Sequence, residues 1–230
     1  MPSSPEVSHE PEVLRRLEDK VLPAHTALLI VDMQNDLIDP AGKTAVDGGR
    51  DLTASRAVIP GIQRLAARAR QAGALVVYIQ GTTLEDMRGC SGPWLDARSF
   101  AAFTVTDIVM DGSWGQEIIP ELTPESNDLT VKKYRYGGFN GTTLDLILRS
   151  AGVKTVICTG VSTNACVEFT AREAFALDYY VVYARDALAS WDMRLHEATL
   201  DNAAKRYAAV VTTDELEDAW GLGGEARRSA

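Results

Sequence analysis

Short apolar runs recur along the chain between stretches of helical periodicity, and this alternation restricts the fold more than any other feature. Residues 26–32, Thr-Ala-Leu-Leu-Ile-Val-Asp, are continuous in apolar side chains up to the terminal aspartate, as a strand covered on both faces should be. Residues 74–80, 128–133, 154–158, 179–184 and 208–212 read as further strands. A helix fits from Thr53 or Ser55, either of which is a suitable cap, to about Gln71, with Val58, Ile62, Leu65 and Ala69 on its inner face. Gly73 stops it. Helices are also expected from Thr142 to Arg149, after Cys166, and from Asp192 to about Tyr207; Thr212 and Glu215 have the spacing of a capping box. Strands alternating with helices make an α/β chain with a mostly parallel, doubly wound sheet and helices on both faces. Such a sheet delivers the carboxyl ends of its strands to one edge, where ligands bind.

Three reactive side chains fall at that edge. Asp32 ends the first strand, Lys133 ends the strand at 128–133, and Cys166 lies just past the strand at 154–158, in the first turn of a helix carrying Val167, Thr170, Ala171, Ala174 and Leu177 inward. Backbone N–H groups and the positive end of the helix dipole favour a thiolate there. Each residue alone has an ordinary reading: a buried thiol packed as a small hydrophobe, a loop carboxylate, a solvated lysine. Their coincidence at one edge points to chemistry. A cysteine nucleophile needs a proton acceptor. His9 lies in the N-terminal arm, His25 is at the wrong end of the sheet, and His196 falls within a helix. Asp32 is the better candidate, with Lys133 as the cation that holds thiol and carboxylate in place.

Composition excludes several classes. A net charge of -9 argues against nucleic acid, whose binders carry a basic footprint, and against an anionic membrane surface. Cys90, Cys158 and Cys166 are odd in number and show no CxxC spacing, so neither a disulfide framework nor a zinc knuckle is implied. The apolar run at 27–31 is too short to span a bilayer, and the polar start is no signal peptide. The expected setting is the cytoplasm. Neither GxGxxG nor GxxxxGK[ST] occurs at a strand end, which removes the physical basis for dinucleotide or P-loop binding. The expected organisation is an arm over residues 1–25, one domain over 26–220 and a tail over 221–230. The Gly- and Pro-rich stretch from Gly81 to Glu125, with Trp94, Phe100, Phe103 and Trp114, reads as an ordered lid or subunit contact.

Three motifs then combine. Ala27-Leu-Leu-Ile-Val-Asp32-Met-Gln34-Asn-Asp36, Lys133-Tyr-Arg135-Tyr136-Gly-Gly138-Phe139-Asn-Gly-Thr142 and Thr159-Gly160-Val-Ser162-Thr-Asn164-Ala-Cys166-Val167 together resemble the isochorismatase-like cysteine hydrolases, in order and spacing from about Ala27 to Thr213. The Lys-x-Arg-Tyr-x-Gly-Phe element and the length look most like the ureidoacrylate amidohydrolases, with biuret and triuret hydrolases and N-carbamoyl amidases close behind. The resemblance implies a three-layer, Rossmann-like fold with a six-stranded parallel sheet and a triad of Asp32, Lys133 and Cys166. It also implies a cis peptide near Val161-Ser162, and an oxyanion hole made by the N–H groups of Ser162 and Cys166. A homodimer or homotetramer is expected by the same analogy. Nicotinamidases carry an Asp-x-His metal motif after the second strand, whereas Gln80-Gly-Thr-Thr-Leu-Glu-Asp86 has no histidine; no metal and no other cofactor is expected. Isochorismate-cleaving members lack the nucleophilic cysteine, so Cys166 argues against that chemistry.

The expected activity is hydrolysis of a linear amide: a carbon–nitrogen bond, other than a peptide bond, of a small ureido or amide compound, releasing ammonia through a thioester on Cys166. Gln34, Gln80, Tyr136, Phe139 and Asn164 are placed by motif or strand end to bind substrate. Arg88, Arg135 or Arg172 would suit a substrate carboxylate, which a neutral polyamide would not require. The rival readings are a catalytically silent binding or scaffold protein, a nicotinamidase-like or isochorismatase-like enzyme, and a thiol redox sensor.

Overall fold

The expected apolar runs form six strands in a computed structural model that describes residues 11–99 and 107–221. They are β1 (Thr26–Val31), β2 (Leu75–Gly81), β3 (Leu129–Lys133), β4 (Thr155–Val161), β5 (Tyr180–Ala189) and β6 (Ala208–Val211). All pair in parallel, in the order β3-β2-β1-β4-β5-β6. The main helices are α1 (Ile59–Ala72), α2 (Gly92–Ser99), α3 (Leu144–Ser150), α4 (Glu168–Ala176), α5 (Met193–Arg206) and α6 (Thr213–Ala219).

Both faces of the central strands are covered, which explains their unbroken apolar character. Leu28, Ile30, Val76, Tyr78 and Ile157 pack with Leu65 and Ala69 of α1 and Leu216 of α6. Leu29, Val31, Val77, Ile79 and Val156 point the other way, against Leu144 and Leu148 of α3, Ala171 and Ala174 of α4, and Leu200 of α5. Each fully buried aliphatic side chain contributes about 1.5–3 kcal/mol, so both interfaces bind helices firmly to the sheet. Three layers result.

Several local expectations change. The helix expected over 53–71 is two pieces, Thr53–Ala57 and α1, because Pro60 lacks an N–H and begins a new helix. Neither Thr53 nor Ser55 caps it; Asp51 Oδ1 instead accepts from Thr53 N at 2.8 Å. Gly73 does terminate α1, in the left-handed region at φ 84°. Strand β5 continues past Ala184 through exposed Arg185 and Asp186, its register against β4 shifting between Cys158 and Gly160. It therefore ends at the crevice with Ser190 and Trp191. Among the described residues ahead of β1, Leu17–Lys20 is α-helical and Pro23–His25 makes a 3-10 turn, and Leu17 and Val21 pack on the core. Thr212 and Glu215 form the capping box. No described helix is long and apolar enough to cross a membrane. The arm at 1–10, Phe100, Phe103 and most of the tail lie outside the described residues.

Candidate active site

Strand order reverses between β1 and β4, which is where a doubly wound sheet opens a crevice at its carboxyl edge. Asp32 follows β1 with φ 55°, a left-handed backbone that non-glycine residues hold only where surrounding structure enforces it. Its side chain is 4% exposed; Oδ1 accepts from Gly81 N at 3.0 Å, and Oδ2 lies 2.8 Å from Lys133 Nζ. Lys133 comes from β3, two strands away. At this level the intervening β2 presents Gly81, paired in register with Lys133, and a Cβ there would sit 3.5 Å from Asp32 Oδ1.

Cys166 arrives from the other side of the crevice. After β4 the chain passes a cis peptide between Val161 and Ser162 and enters a π-helical turn, Thr163–Val167, before α4 begins. The expected first turn of an α-helix is thus a wider one. Ala165 N and Val167 N both donate to Ser162 O, at 3.0 and 3.2 Å. Gly160 makes the approach possible: at φ 99°, a Cβ would meet Val31 O at 2.1 Å, so only glycine lets β4 run this close to β1. Cys166 Sγ comes to rest 3.2 Å from Lys133 Nζ, which also donates to Arg135 O at 3.2 Å.

The charges settle accordingly. Burial alone would lower the Lys133 pKa, but Asp32 and Cys166 beside it more than reverse this and hold the ammonium protonated. Burial, followed by the charge of Asp32, pushes the Cys166 thiol above its ordinary range, against the pull of Lys133. The resting arrangement is therefore a neutral thiol beside a carboxylate–ammonium pair, rather than the thiolate that a helix start would favour by itself.

These three residues lie on a cavity of about 560 Å³. Of the other sequence candidates, Ser162, Tyr136, Asn164, Arg88 and Arg135 also line it, whereas Gln34, Gln80, Phe139 and Arg172 do not. Gln34 is fully buried as a brace, its amide donating to Gly81 O and Gln116 O at 2.9 and 2.8 Å and accepting from Gly81 N at 2.8 Å. Gln80 donates to Gln116 O at 3.1 Å. Phe139 belongs to the core on the α3–α4 face and stacks near Tyr179, and Arg172 pairs with Glu168 at 2.7 Å. Asp36, which reads as a surface loop residue, is buried and accepts from Val109 N at 2.7 Å.

Other wall residues were not legible beforehand: Arg50, Arg98 and Trp191 all face the cavity. Trp191 could have been found only by knowing that β5 runs on to Ala189. Trp94 was singled out as part of a lid, and it stands in the wall on α2, with its ring 4.8 Å from that of Tyr136; Trp114 is about half exposed. Asn164 is held by its oxygen: Ser162 Oγ and Ser190 Oγ donate to Oδ1 at 2.9 and 2.5 Å. This orients its amide NH2 away from both hydroxyls. His196 is buried behind the Thr163–Val167 turn, Nδ1 lying 2.8 Å from Thr163 Oγ1, and burial lowers its pKa. Thr163 Oγ1 spends its hydrogen on Ala189 O at 2.9 Å, so the ring N–H is the donor to Thr163.

A resident metal does not fit these residues. Strand β2 ends in Gln80 and Gly81 and is followed by Thr82 and Thr83, and among the described residues no group of three or more His, Cys, Asp or Glu could hold an ion.

With this geometry established, comparison places the chain among known proteins. The isochorismatase domain model matches residues 26–215. A cysteine hydrolase from Pseudomonas syringae pv. phaseolicola 1448A is 27% identical and superposes with a TM-score of 0.78 over 94% of this chain and 99% of its own. An N-carbamoylsarcosine amidase from Thermoplasma acidophilum is 28% identical, with a TM-score of 0.66 over 82% of this chain and 96% of its own. A pyrazinamidase from Pyrococcus horikoshii, solved in complex with zinc, is 27% identical, with a TM-score of 0.67 over 82% of this chain and 99% of its own. The match takes in all six strands together with Asp32, Lys133 and Cys166, and the chain belongs to the isochorismatase-like hydrolase family.

Proposed function

We propose that the protein is a cysteine-dependent amidohydrolase that cleaves a carbon–nitrogen bond of a small ureido or amide compound and releases ammonia. The observation that carries this reading is the buried lysine: Lys133 Nζ stands 2.8 Å from Asp32 Oδ2 and 3.2 Å from Cys166 Sγ, on the wall of a cavity sized for a small molecule. One cation thus holds base and nucleophile together.

The reaction begins with a neutral thiol. As Sγ attacks the substrate carbonyl, its proton passes to Asp32 and a carbon–sulfur bond forms. The N–H groups of Ser162 and Cys166 hold the resulting oxyanion, each such donor being worth about 3–4 kcal/mol. When the tetrahedral species collapses, the carbon–nitrogen bond breaks and Asp32 returns its proton to the departing amine. A water then attacks the acyl- or carbamoyl-thioester, giving a proton to Asp32, and Cys166 recovers its own as the carbon–sulfur bond breaks. Lys133 stays charged throughout. Because it balances Asp32 at the start and the anionic sulfur as that proton leaves, no net charge need be created in the buried site.

The test is ammonia release from a panel of ureidoacrylate, biuret, triuret, N-carbamoyl amino acids and nicotinamide, beside Cys166→Ala and after chelator treatment. Turnover that survives the chelator and vanishes in Cys166→Ala is expected. Turnover retained by Cys166→Ala would refute the mechanism, and silence across the panel would favour a binding protein.

A further inference from the structure

His196 on α5 and Thr163, the first residue of the Thr163–Val167 turn, are buried behind Cys166 and take no part in the chemistry above. Polar groups at such depth are costly unless their hydrogen bonds are made. Here the bonds converge on one hydroxyl. Thr163 Oγ1 lies 2.9 Å from Ala189 O and 2.8 Å from His196 Nδ1. The carbonyl can only accept, so it takes the single hydroxyl hydrogen, and the ring must supply an N–H to the oxygen. A ring with its hydrogen on Nε2 alone would present a second acceptor that the hydroxyl could not also satisfy. Nε2 itself stands 3.9 Å from Glu197 Oε1, beyond hydrogen-bond reach.

This pair of bonds joins two segments that meet at the crevice. Ala189 ends β5, the strand that a register shift carries past Ala184. Thr163 opens the turn that bears Cys166, and the backbone bonds from Ala165 N and Val167 N return to Ser162 O, within that segment. Side chains tie the turn to the strand: Thr163 reaches Ala189 O, and at the next residue Asn164 Oδ1 accepts from Ser190 Oγ at 2.5 Å. The turn in its place puts Cys166 Sγ 3.2 Å from Lys133 Nζ. A displacement of the order of 1 Å at a reacting atom can cost about 100-fold in rate.

We propose that His196 is a positioning residue: by donating from Nδ1 to Thr163 it commits the Thr163 hydroxyl to Ala189 O, and so fixes the turn that holds Cys166 beside Lys133 against the end of β5. Its effect on turnover rests on the hydrolase reading above; its effect on the placement of the Cys166 thiol does not.

The test compares His196→Asn with His196→Leu. The two side chains are of similar size and leave similar space where the ring was, but the asparagine amide keeps an N–H where Nδ1 stood. Thr163→Val removes the same bond from its other end at nearly constant shape. With the compound of the ammonia-release panel that wild type turns over best, His196→Leu and Thr163→Val should each lower kcat roughly 10- to 100-fold with little change in KM, whereas His196→Asn keeps most of the activity. Combining His196→Leu with Thr163→Val should cost little more than either alone, since both remove one bond. Alkylation of Cys166 by iodoacetamide, followed on its own peptide across pH, reads the placement without any substrate. Burial first, then Asp32, hold this thiol above its ordinary range, so its profile should move to lower pH in the Leu and Val variants and stay in place in His196→Asn. An unshifted profile in both Leu and Val variants would overturn the proposal. So would an asparagine variant as impaired as the leucine one, which would reduce the role to packing, or fully additive losses in the double variant. If His196→Leu does not fold, Thr163→Val decides by the same readouts. Profiles that shift as expected in a protein releasing no ammonia would keep the positioning role and refute the hydrolase.

Discussion

Replacing Lys133 with methionine should destabilise the fold as well as abolish ammonia release. The side chains of Lys133 and Asp32 are 3% and 4% exposed and lie 2.8 Å apart, with Gly81 N the other donor to the carboxylate. Without the ammonium, Asp32 is left as a buried charge, and breaking one side of such a pair costs about 3–5 kcal/mol. For a chain of this size that corresponds to a fall in melting temperature of roughly 6–20 °C. The assay is urea unfolding of wild type, Lys133→Met and the double variant Lys133→Met/Asp32→Asn, compared at equal m-values. Asp32→Asn removes the orphaned charge, so the double variant should recover most of the lost stability while remaining inactive. A single variant within about 1 kcal/mol of wild type, a typical effect for an ordinary substitution, would refute the reasoning. So would a double variant no more stable than the single.

Gly160→Ala should prevent correct folding or cost more than about 3 kcal/mol, since the new Cβ would meet Val31 O at 2.1 Å and φ is 99°; a melting curve like that of wild type would contradict this. Arg70→Ala should lower unfolding free energy by about 2–3 kcal/mol in urea titrations. The side chain of Asp128 is only 2% exposed and accepts from Arg70 Nη2 at 2.6 Å and Nε at 3.1 Å, so the loss leaves a buried carboxylate without its cation and with only the Glu125 N–H, at 2.7 Å, still donating to it. Cys158 should make stability fall with rising pH. Burial pushes its thiol up to about 12 in the fold, while an unfolded thiol titrates near ~8.5, so between those values the unfolded chain binds fewer protons and gains. Cys158→Ala should flatten that alkaline slope in urea titrations taken across the window, and an unchanged slope would count against the assignment.

Much of the architecture was legible because it rests on simple periodicities. Strands covered on both faces are apolar at every position, and β1 and β4 show that plainly. Asp32, Lys133 and Cys166 could be found because a parallel sheet places its strand ends at one edge whatever the loops do. The neighbours of the triad depend instead on which way a side chain turns after a strand ends, and sequence position does not record that. Gln34 and Gln80 sit at strand ends as expected, yet both turn towards Gln116 O and serve the scaffold. Strand β5 was read as ending at Ala184 because Arg185 and Asp186 look like a terminus. A register shift against β4 carries it further, and this hid Ser190 and Trp191 from view. Arg88 and Arg135 were among the sequence candidates, but Arg50 and Arg98 were hidden for another reason: an arginine in an irregular segment is a surface residue by default. Arg98 is distinguished by its packing on Trp94.

The most direct test of the proposed chemistry is the covalent intermediate. Protein mixed with an N-carbamoyl substrate and quenched in acid during turnover should carry a mass adduct on the peptide containing Cys166, accumulating and decaying with substrate. Cys166→Ala should carry none and release no ammonia. Ammonia release by Cys166→Ala, or turnover by wild type with an adduct on Cys90 or Cys158 instead, would contradict the assignment of Cys166 as the nucleophile.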